Sequence, residues 1–321
     1  MSRILITGAS GFIGSNLARE LVKTQNEVSI FVRKGTKPWR INDILSDCDT
    51  HAINLINVEE TRDAIQKIKP DIVYHCAAYG ISQKQNDADK IFRTNISGTT
   101  NLLIALEEYN KLERLVNVGS YLEHSFKPDY YQSGVRKPID PYTVSKVCQT
   151  ELVQYFNNKK NIPTVTLRLF NPYGKFEEPG RLVSDIMISI LQKKSLEVFS
   201  GSARHDFIHI DDVISVLQNA AKKPNIEGKI FDVGNGKEIS VKDIVELTCN
   251  ITNTNLKIKW RIENQSRAEK DIDKQPANIQ KTKKLDWKPK ISIKKGLLKT
   301  FDWYKEHIDL YKNFRLISDF D

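Results

Sequence analysis

The sequence predicts an α/β protein: a doubly wound parallel sheet, followed by a smaller C-terminal α/β domain. Two observations carry this. Short β-branched runs alternate with stretches of helical periodicity through the first half of the chain, the pattern of strands joined by crossover helices. A glycine-rich turn then stands directly between the first predicted strand and the first predicted helix.

In order, Ile4 to Thr7 reads as a strand, Phe12 to Lys23 as a helix, Glu27 to Val32 as a second strand and Asp71 to Cys76 as another. Ala88 to Glu108 has the periodicity of a long helix, and Leu115 to Val118 is again a strand. Asp140-Pro141 makes a strong helix start, with Asp as N-cap and Pro at the first helical position, for a helix running to about Asn157. Thr164 to Phe170 is β-rich. Beyond Asn171 the pattern loosens: Pro172, Gly174, Pro179 and Gly180 mark loops, with helical stretches near 181–193 and 211–222. The expected division is 1–170 for the first domain, with return segments near 206–234, and 171–321 for most of the second. The last residues, 308–321, are aromatic and aliphatic without a period and are expected to pack on the body or on a partner subunit.

Composition is that of a soluble globular chain: 321 residues, 40% hydrophobic and 28% charged. No apolar run is long enough to span a membrane, and the start enters a strand at once, so no secretory signal is expected. Cys48, Cys76, Cys148 and Cys249 are scattered and form no CxxC pair, which argues against a zinc site or a disulfide scaffold. A cytoplasmic location, with reduced thiols, follows as the expectation. The net charge of +9 is spread along the whole chain rather than gathered in a patch. It suits phosphate-bearing small molecules better than nucleic acid.

The first candidate site is Gly8-Ala9-Ser10-Gly11-Phe12-Ile13-Gly14. Glycines allow a tight turn and close approach of backbone to a pyrophosphate. The helix that opens there presents free N–H groups and the positive end of its dipole. This is the nucleotide-binding turn of a Rossmann-type sheet, with the spacing GxxGxxG. Gly8, Ser10, Gly11, Phe12, Ile13 and Gly14 are its candidate contacts. NAD-preferring sites carry a carboxylate for the ribose at the end of the second strand. Here that strand ends Phe31-Val32-Arg33-Lys34. Two cations suit a 2′-phosphate, so NADP(H) is the expected cofactor, with NAD the alternative.

The second candidate site is Tyr142-Thr143-Val144-Ser145-Lys146. A spacing of four puts Tyr and Lys on one helix face. A tyrosine near pKa 10 is a poor acid–base group at neutral pH, and an adjacent ammonium favours its phenolate. Ser120 ends the preceding strand, where parallel sheets place their ligands.

These residues resemble the extended short-chain dehydrogenase/reductase superfamily of sugar-nucleotide epimerases, dehydratases and reductases, over nearly the whole chain. Asp71 to Ala78 resembles the "DxVxHxAA" strand end, Asn95 to Thr99 "NxxGT", Leu167 to Gly174 "LRxxNxYG", Arg204 to Asp212 "RDFxxVDD", and Leu285 to Pro289 "LGWxP". The resemblance implies that Ser120 binds the reacting sugar oxygen, that Tyr142 exchanges its proton, and that Lys146 also holds the nicotinamide ribose. It adds Asn54, Ala77, Ala78 and Asn95 on the cofactor side, and Asn171, Arg204 and Arg267 on the sugar-nucleotide side. It also implies a homodimer packed through the 88–108 and 141–158 helices, whose Leu102, Leu103, Leu106, Leu152 and Val153 would supply a second apolar face. Dehydratases of this group carry an acidic pair directly after the Ser or Thr. Here Tyr121 and Leu122 follow Ser120, Glu123 comes one place late, and His124 is a candidate local acid–base group. The expectation is therefore an NADPH-dependent reductase of a nucleotide-linked 4-keto-6-deoxyhexose. The alternatives are an NAD-dependent C4 epimerase and a non-catalytic NADP-binding protein.

Overall fold

A computed structural model describes residues 1–36, 38–82, 85–125, 140–199, 201–261 and 275–312. The chain divides into two units. One holds Met1–Leu169, Ile214–Asp232 and Lys281–Trp287; the other holds Phe170–Val213, Val233–Gln280 and Lys288–Asp321.

The first unit is built on a seven-stranded sheet. Its strands are β1 (Arg3–Thr7), β2 (Glu27–Val32), β3 (Asp49–Ala52), β4 (Ile72–His75), β5 (Arg114–Ser120), β6 (Thr164–Leu169) and β11 (Lys229–Val233), in the spatial order β11-β6-β5-β4-β1-β2-β3. From β3 to β6 every neighbouring pair is parallel. The order runs outward in both directions from the β1–β4 pair, where Thr7 lies opposite His75. A sheet of this kind opens a crevice at the carboxyl ends of those two strands, because the connections leave to opposite faces there.

The crossover helices are α1 (Phe12–Leu21), α2 (Val58–Ile68), α3 (Ala88–Phe92), α4 (Gly98–Tyr109) and α5 (Pro141–Lys160). Several of their ends have a visible cause. Asn57 caps α2 by accepting from Glu59 and Glu60 N–H. Asp140 caps α5 by accepting from Thr143 N–H, with Pro141 in the first turn. Asn110 and Asn161 end α4 and α5 in the left-handed conformation that Asn tolerates. The stretch expected as one long helix is interrupted: a π-helical turn, Arg93–Ser97, separates α3 from α4.

The core between sheet and helices gathers Leu5, Val73, Leu115, Leu102, Leu103, Leu106, Val153 and Phe156. This corrects one expectation. Leu102, Leu103, Leu106 and Val153 are fully used inside their own chain and offer no second face to a partner. They are buried because α4 and α5 cover the sheet, and Leu152 is packed on the same cluster. Tyr155 is the exposed aromatic of α5.

The second unit contains β7 (Pro172–Tyr173), α6 (Leu182–Gln192), β8 (Leu196–Phe199), β9 (Arg204–His205), β10 (Ile208–His209), β12 (Ile239–Ser240), α8 (Val241–Thr252), β13 (Ile258–Arg261) and α10 (Ile293–His307). Two further helices, α7 (Ile210–Lys222) and α9 (Ile279–Thr282), are divided between the two units. The strands form three two-stranded pairs: β7 with β10, β9 with β12 and β8 with β13. Trp303 stacks on His307 at 4.5 Å, and Tyr304 stacks on Tyr311 at 4.7 Å. Residues 308–312 of the expected packing segment therefore lie on this unit, and 313–321 fall outside the described residues. No described helix is long and apolar enough to cross a membrane.

Glu177 occupies an unusual place in this unit. Its carboxyl is buried, and Oε2 has no hydrogen-bond partner among the described residues. Its backbone carbonyl accepts from the hydroxyls of Tyr304 and Tyr311. Burial pushes its pKa up to about 8, against the opposing pull of Arg181. The folded state thus holds this proton more tightly than the unfolded chain. Stability falls as pH rises from the ordinary carboxylate range, where the unfolded chain ionises first, and the loss is complete above the folded value. Glu177→Gln is accordingly expected to melt with the wild type near pH 4.5 and above it at pH 8.5. Melting curves at the two pH values check this, and an equal shift at both would refute it.

Candidate active site

The glycine turn sits at the crevice between β1 and β4. Gly8 has φ +70°, and a Cβ there would lie 2.6 Å from the Ala77 backbone. A Cβ at Gly14 would lie 2.4 Å from the Gly8 carbonyl oxygen. These two glycines let the turn fold against the end of β4 and let α1 start tight upon it. Gly11 differs: its Cβ would meet only the Gly8 oxygen, at 3.2 Å. Gly11 is the N-cap of α1 with no side-chain cap, and the first turn holds no acidic residue. The helix N-terminus is thus left to an outside acceptor. These residues fit a dinucleotide pyrophosphate. Phe12, Ile13 and Gly14 would offer the N–H groups, with Ser10 in the turn. Ala77 and Ala78 follow β4 beside Gly8, and the Ala77 N–H points at the Thr7 hydroxyl at 3.4 Å.

At the end of β2, Val32 is buried while Arg33 and Lys34 are exposed. The segment that follows folds back over the turn. Arg40 is buried, its Nη1 is 3.4 Å from the Ser10 carbonyl, and its guanidinium lies 4.4 Å over the Trp39 ring. Arg19 of α1 holds this segment through the Asp43 carboxylate and the Arg40 carbonyl. Arg40 was not legible as a site residue, because its approach to the turn depends on this clamp. Asn54 is exposed beyond β3, with Oδ1 accepting from Ile56 N–H.

The candidate proton-transfer residues lie at the end of β5 and the start of α5. Ser120 is buried, and its Oγ accepts from Leu122 N–H at 3.3 Å. Tyr142 and Lys146 occupy successive turns of α5 and are both buried. Lys146 Nζ donates to the Val118 carbonyl at 2.6 Å, two residues before Ser120, and to Gln149 Oε1. Burial pushes the Lys146 ammonium down to about 8, with Glu123 and Cys76 acting in the opposite direction.

Two further groups brace this centre. Asn95, in the π-helical turn, donates from Nδ2 to the Tyr79 carbonyl and to Ser145 Oγ, and accepts from Tyr79 N–H. Through these bonds Asn95, expected on the cofactor side, ties the loop after β4 to α5. His75 lies between Thr7 and Thr99. The Thr99 hydroxyl donates to the Asn95 carbonyl, so His75 Nε2 donates to Thr99 and Nδ1 accepts from Thr7. Burial, reinforced by Lys146, pushes this histidine down to about 3, and it stays neutral. Gln149 Nε2 also donates to Thr99 at 3.2 Å, so a continuous polar chain runs from Thr7 to Lys146.

Glu123 and His124 are both held by partners within the protein. Glu123 accepts from Ser120 N–H, Thr150 Oγ1 and Arg168 Nε. His124 Nε2 is 2.8 Å from Asp232 Oδ1.

In the second unit, Asn171 has φ +30° and its Nδ2 donates to the Asp206 carbonyl at 3.3 Å. Arg204 is exposed on β9 and donates to the Glu238 carbonyl. Between them Asp206 is buried and accepts three backbone N–H groups, from Asn235, Gly236 and Ala277. It organises the loops that carry its neighbours. Arg267 lies outside the described residues. No group of three or more His, Cys, Asp or Glu is placed to hold a metal among the described residues.

The fold and this constellation define a nicotinamide-dependent enzyme on a Rossmann-type sheet. The model of the NAD dependent epimerase/dehydratase family matches residues 4–234, and the chain belongs to that family. It is 27% identical to the dTDP-D-glucose 4,6-dehydratase of Dictyostelium discoideum, over 99% of this chain and 85% of that one. It is 26% identical to the UDP-glucuronate 4-epimerase of Thermodesulfobacterium geofontis, over 98% of this chain and 100% of that one. The structure is similar to that of the UDP-glucose 4-epimerase of Thermotoga maritima with UDP-glucose: TM-score 0.83, 22% identity, 95% of this chain and 99% of that one covered. It is also similar to the UDP-glucuronic acid 4-epimerase of Bacillus cereus in complex with UDP-glucuronic acid and NAD: TM-score 0.77, 24% identity, 95% and 99% covered. At these identities the structural likeness is one of fold.

Proposed function

We propose that the chain carries out oxidation and reduction at C4 of a nucleotide-linked hexose, as a C4 epimerase. The observation that carries the reading is Ser120, Tyr142 and Lys146 at the end of β5 and the start of α5, with no carboxylate released for elimination. Glu123, the nearest acidic residue after Ser120, accepts from three protein donors and is buried. That speaks against a 4,6-dehydratase. A UDP-glucuronate 4-epimerase among the similar proteins supports the choice. A nicotinamide cofactor, held at the glycine turn, would supply the acceptor and donor of hydride. Tyr142 takes the C4 hydroxyl proton as that carbon is oxidised and returns it to the keto oxygen after the sugar has turned its other face. Ser120 holds that oxygen, and Lys146 favours the phenolate of Tyr142. Asn171, Arg204 and Arg267 are the proposed contacts to the nucleotide diphosphate.

A second reading is favoured by one observation: Arg33 and Lys34 stand beyond a buried Val32 where an NAD site has a carboxylate. It is an NADPH-dependent reductase of a 4-keto-6-deoxy sugar nucleotide. The two readings separate on the purified protein. An epimerase releases stoichiometric NAD on denaturation and interconverts a UDP-sugar pair without added cofactor. A reductase shows no turnover until NADPH is added, and oxidises one per product. Failure of both assays across UDP-, dTDP-, GDP- and CDP-sugars would overturn the C4 assignment.

The cofactor edge gives its own prediction. Arg33→Asp is expected to weaken NADPH binding by roughly tenfold or more relative to NADH, from the loss of a charge-assisted contact. Equal losses in fluorescence titrations with the two cofactors would reject the 2′-phosphate assignment.

A further inference from the structure

Glu123 lies where the elements of the centre converge. It follows Ser120 in a 3₁₀ turn, Tyr121–Ser125. Its side chain is fully buried, with 0% exposure. Oε1 accepts from Ser120 N–H at 2.7 Å. Oε2 accepts from Thr150 Oγ1 of α5 at 2.9 Å and from Arg168 Nε of β6 at 2.7 Å. Every one of these neighbours is a donor, so both oxygens act as acceptors, as in a carboxylate. The space is closed on the remaining side, for a Cβ at Gly119 would lie 2.8 Å from Oε1. Thr150 is one helical turn beyond Lys146, so a single side chain joins the strand end bearing Ser120 to the helix bearing Lys146.

The charge matters as much as the tether. Lys146 is buried and its two protein acceptors, the Val118 carbonyl and Gln149 Oε1, are neutral. A buried ammonium without a counter-charge is costly. From β4 it faces His75 and, just beyond, Cys76. The histidine is pushed down to about 3 by burial and then by Lys146, and the thiol is pushed up to about 12 by burial, so both are neutral in the physiological range. From its own helix it has Tyr142 and Gln149 as near neighbours in sequence. Among the described residues, Glu123 is the carboxyl whose charge favours the Lys146 ammonium.

We infer that Glu123 is a positioning residue: it clamps the end of β5 to α5 and serves as the counter-charge of the buried Lys146. The inference rests on the proposed role of the Ser120, Tyr142 and Lys146 set, but it concerns the protein without substrate. Arg168 holds Glu123 from the far side, so that one oxygen faces Ser120 and the other faces α5.

The test reads Lys146 itself. In protein labelled at lysine Cε with carbon-13, the Lys146 resonance is identified by its loss in Lys146→Met, and its titration is followed in wild type and Glu123→Gln. The expected result is a midpoint lowered by about one pH unit or more in Glu123→Gln, with a cooperative melt retained. Thr150→Val removes one hydrogen bond but no charge and is expected to leave the midpoint in place. Should Glu123→Gln not fold, Glu123→Gln/Arg168→Gln removes the guanidinium that the lost carboxylate had paired, and a midpoint lowered relative to Arg168→Gln alone is the expected result. An unchanged midpoint, or an equal fall in Thr150→Val, would overturn the assignment. Because none of these measurements needs turnover, failure of the C4 activity would leave the Lys146 result standing by itself.

Discussion

Tyr142→Phe is expected to lower kcat by about 10²–10⁴-fold while the protein stays folded and keeps its cofactor affinity. The ring is buried near Gly80, whose Cβ would lie 3.1 Å from Tyr142 Cδ2, so phenylalanine preserves the packing and removes only the hydroxyl. Lys146→Met is expected to lower kcat as well, and to move the pH profile of the residual activity upward. The phenol then loses the cation that favours its ionised form. The wild-type ammonium is itself pushed down to about 8 by burial. Loss of its proton as pH rises through that value should therefore give wild-type activity an alkaline limb, which Lys146→Met should lack. Single-turnover rates on a confirmed sugar nucleotide, measured across pH for both variants, decide this. Wild-type rates in Tyr142→Phe would remove Tyr142 from the chemistry.

What the sequence made legible, and what it hid, follows from where each element gets its stability. β1, β2, β5 and β6 are buried on both faces and read as β-branched runs. β3 did not: its residues, Asp49–Ala52, lie at the sheet edge, none is buried, and the strand carries no apolar pattern. α2 is hidden in the sequence for a related reason. It buries only Thr61, Ala64 and Ile65, and owes its start to the Asn57 cap and its fastening to Arg62 with Glu59 and Glu108. The π-helical turn at Arg93–Ser97 could not be seen, since the apolar spacing runs through it without interruption. That turn places Asn95 against Tyr79 and Ser145.

At the site, residues whose partners are close in sequence were readable. Tyr142 and Lys146 share a helix face, and the glycines share a turn. In the sequence Glu123 is only a carboxylate one place late after Ser120. Its work depends on Thr150 and Arg168, 27 and 45 residues away, which only the pairing of β5 with β6 and the packing of α5 bring near. Arg40 is a similar case, brought to Ser10 across 30 residues by the Arg19–Asp43 clamp. The leucines of α4 show the opposite failure. An apolar face is legible, but whether it meets its own sheet or another subunit is decided by the layer it lands in.

The three glycines of the turn are expected to part company when each is changed to alanine. Gly8→Ala must hold an L-residue at φ +70° and push a methyl group to 2.6 Å from the Ala77 backbone. The left-handed conformation costs about 1–2 kcal/mol and overpacking typically about 1–3 kcal/mol. A fall in melting temperature of roughly 5–15 °C is expected, and β4 cannot yield without disturbing His75 and the polar chain to Lys146. Gly14→Ala meets the Gly8 carbonyl at 2.4 Å and should be destabilised too. Gly11→Ala is the informative variant. Its φ of −82° suits any residue, and its methyl would touch only the Gly8 oxygen at 3.2 Å. The fold should therefore accept it with little change in melting temperature. If the uncapped start of α1 seats the pyrophosphate, however, the added methyl group stands at the ligand's approach. Cofactor affinity should then fall about tenfold or more, equivalent to about 1.4 kcal/mol. Melting curves and cofactor titrations on the three variants separate the two roles. Normal affinity in Gly11→Ala would mean that the turn is glycine-rich for the sake of β4 and α1 alone.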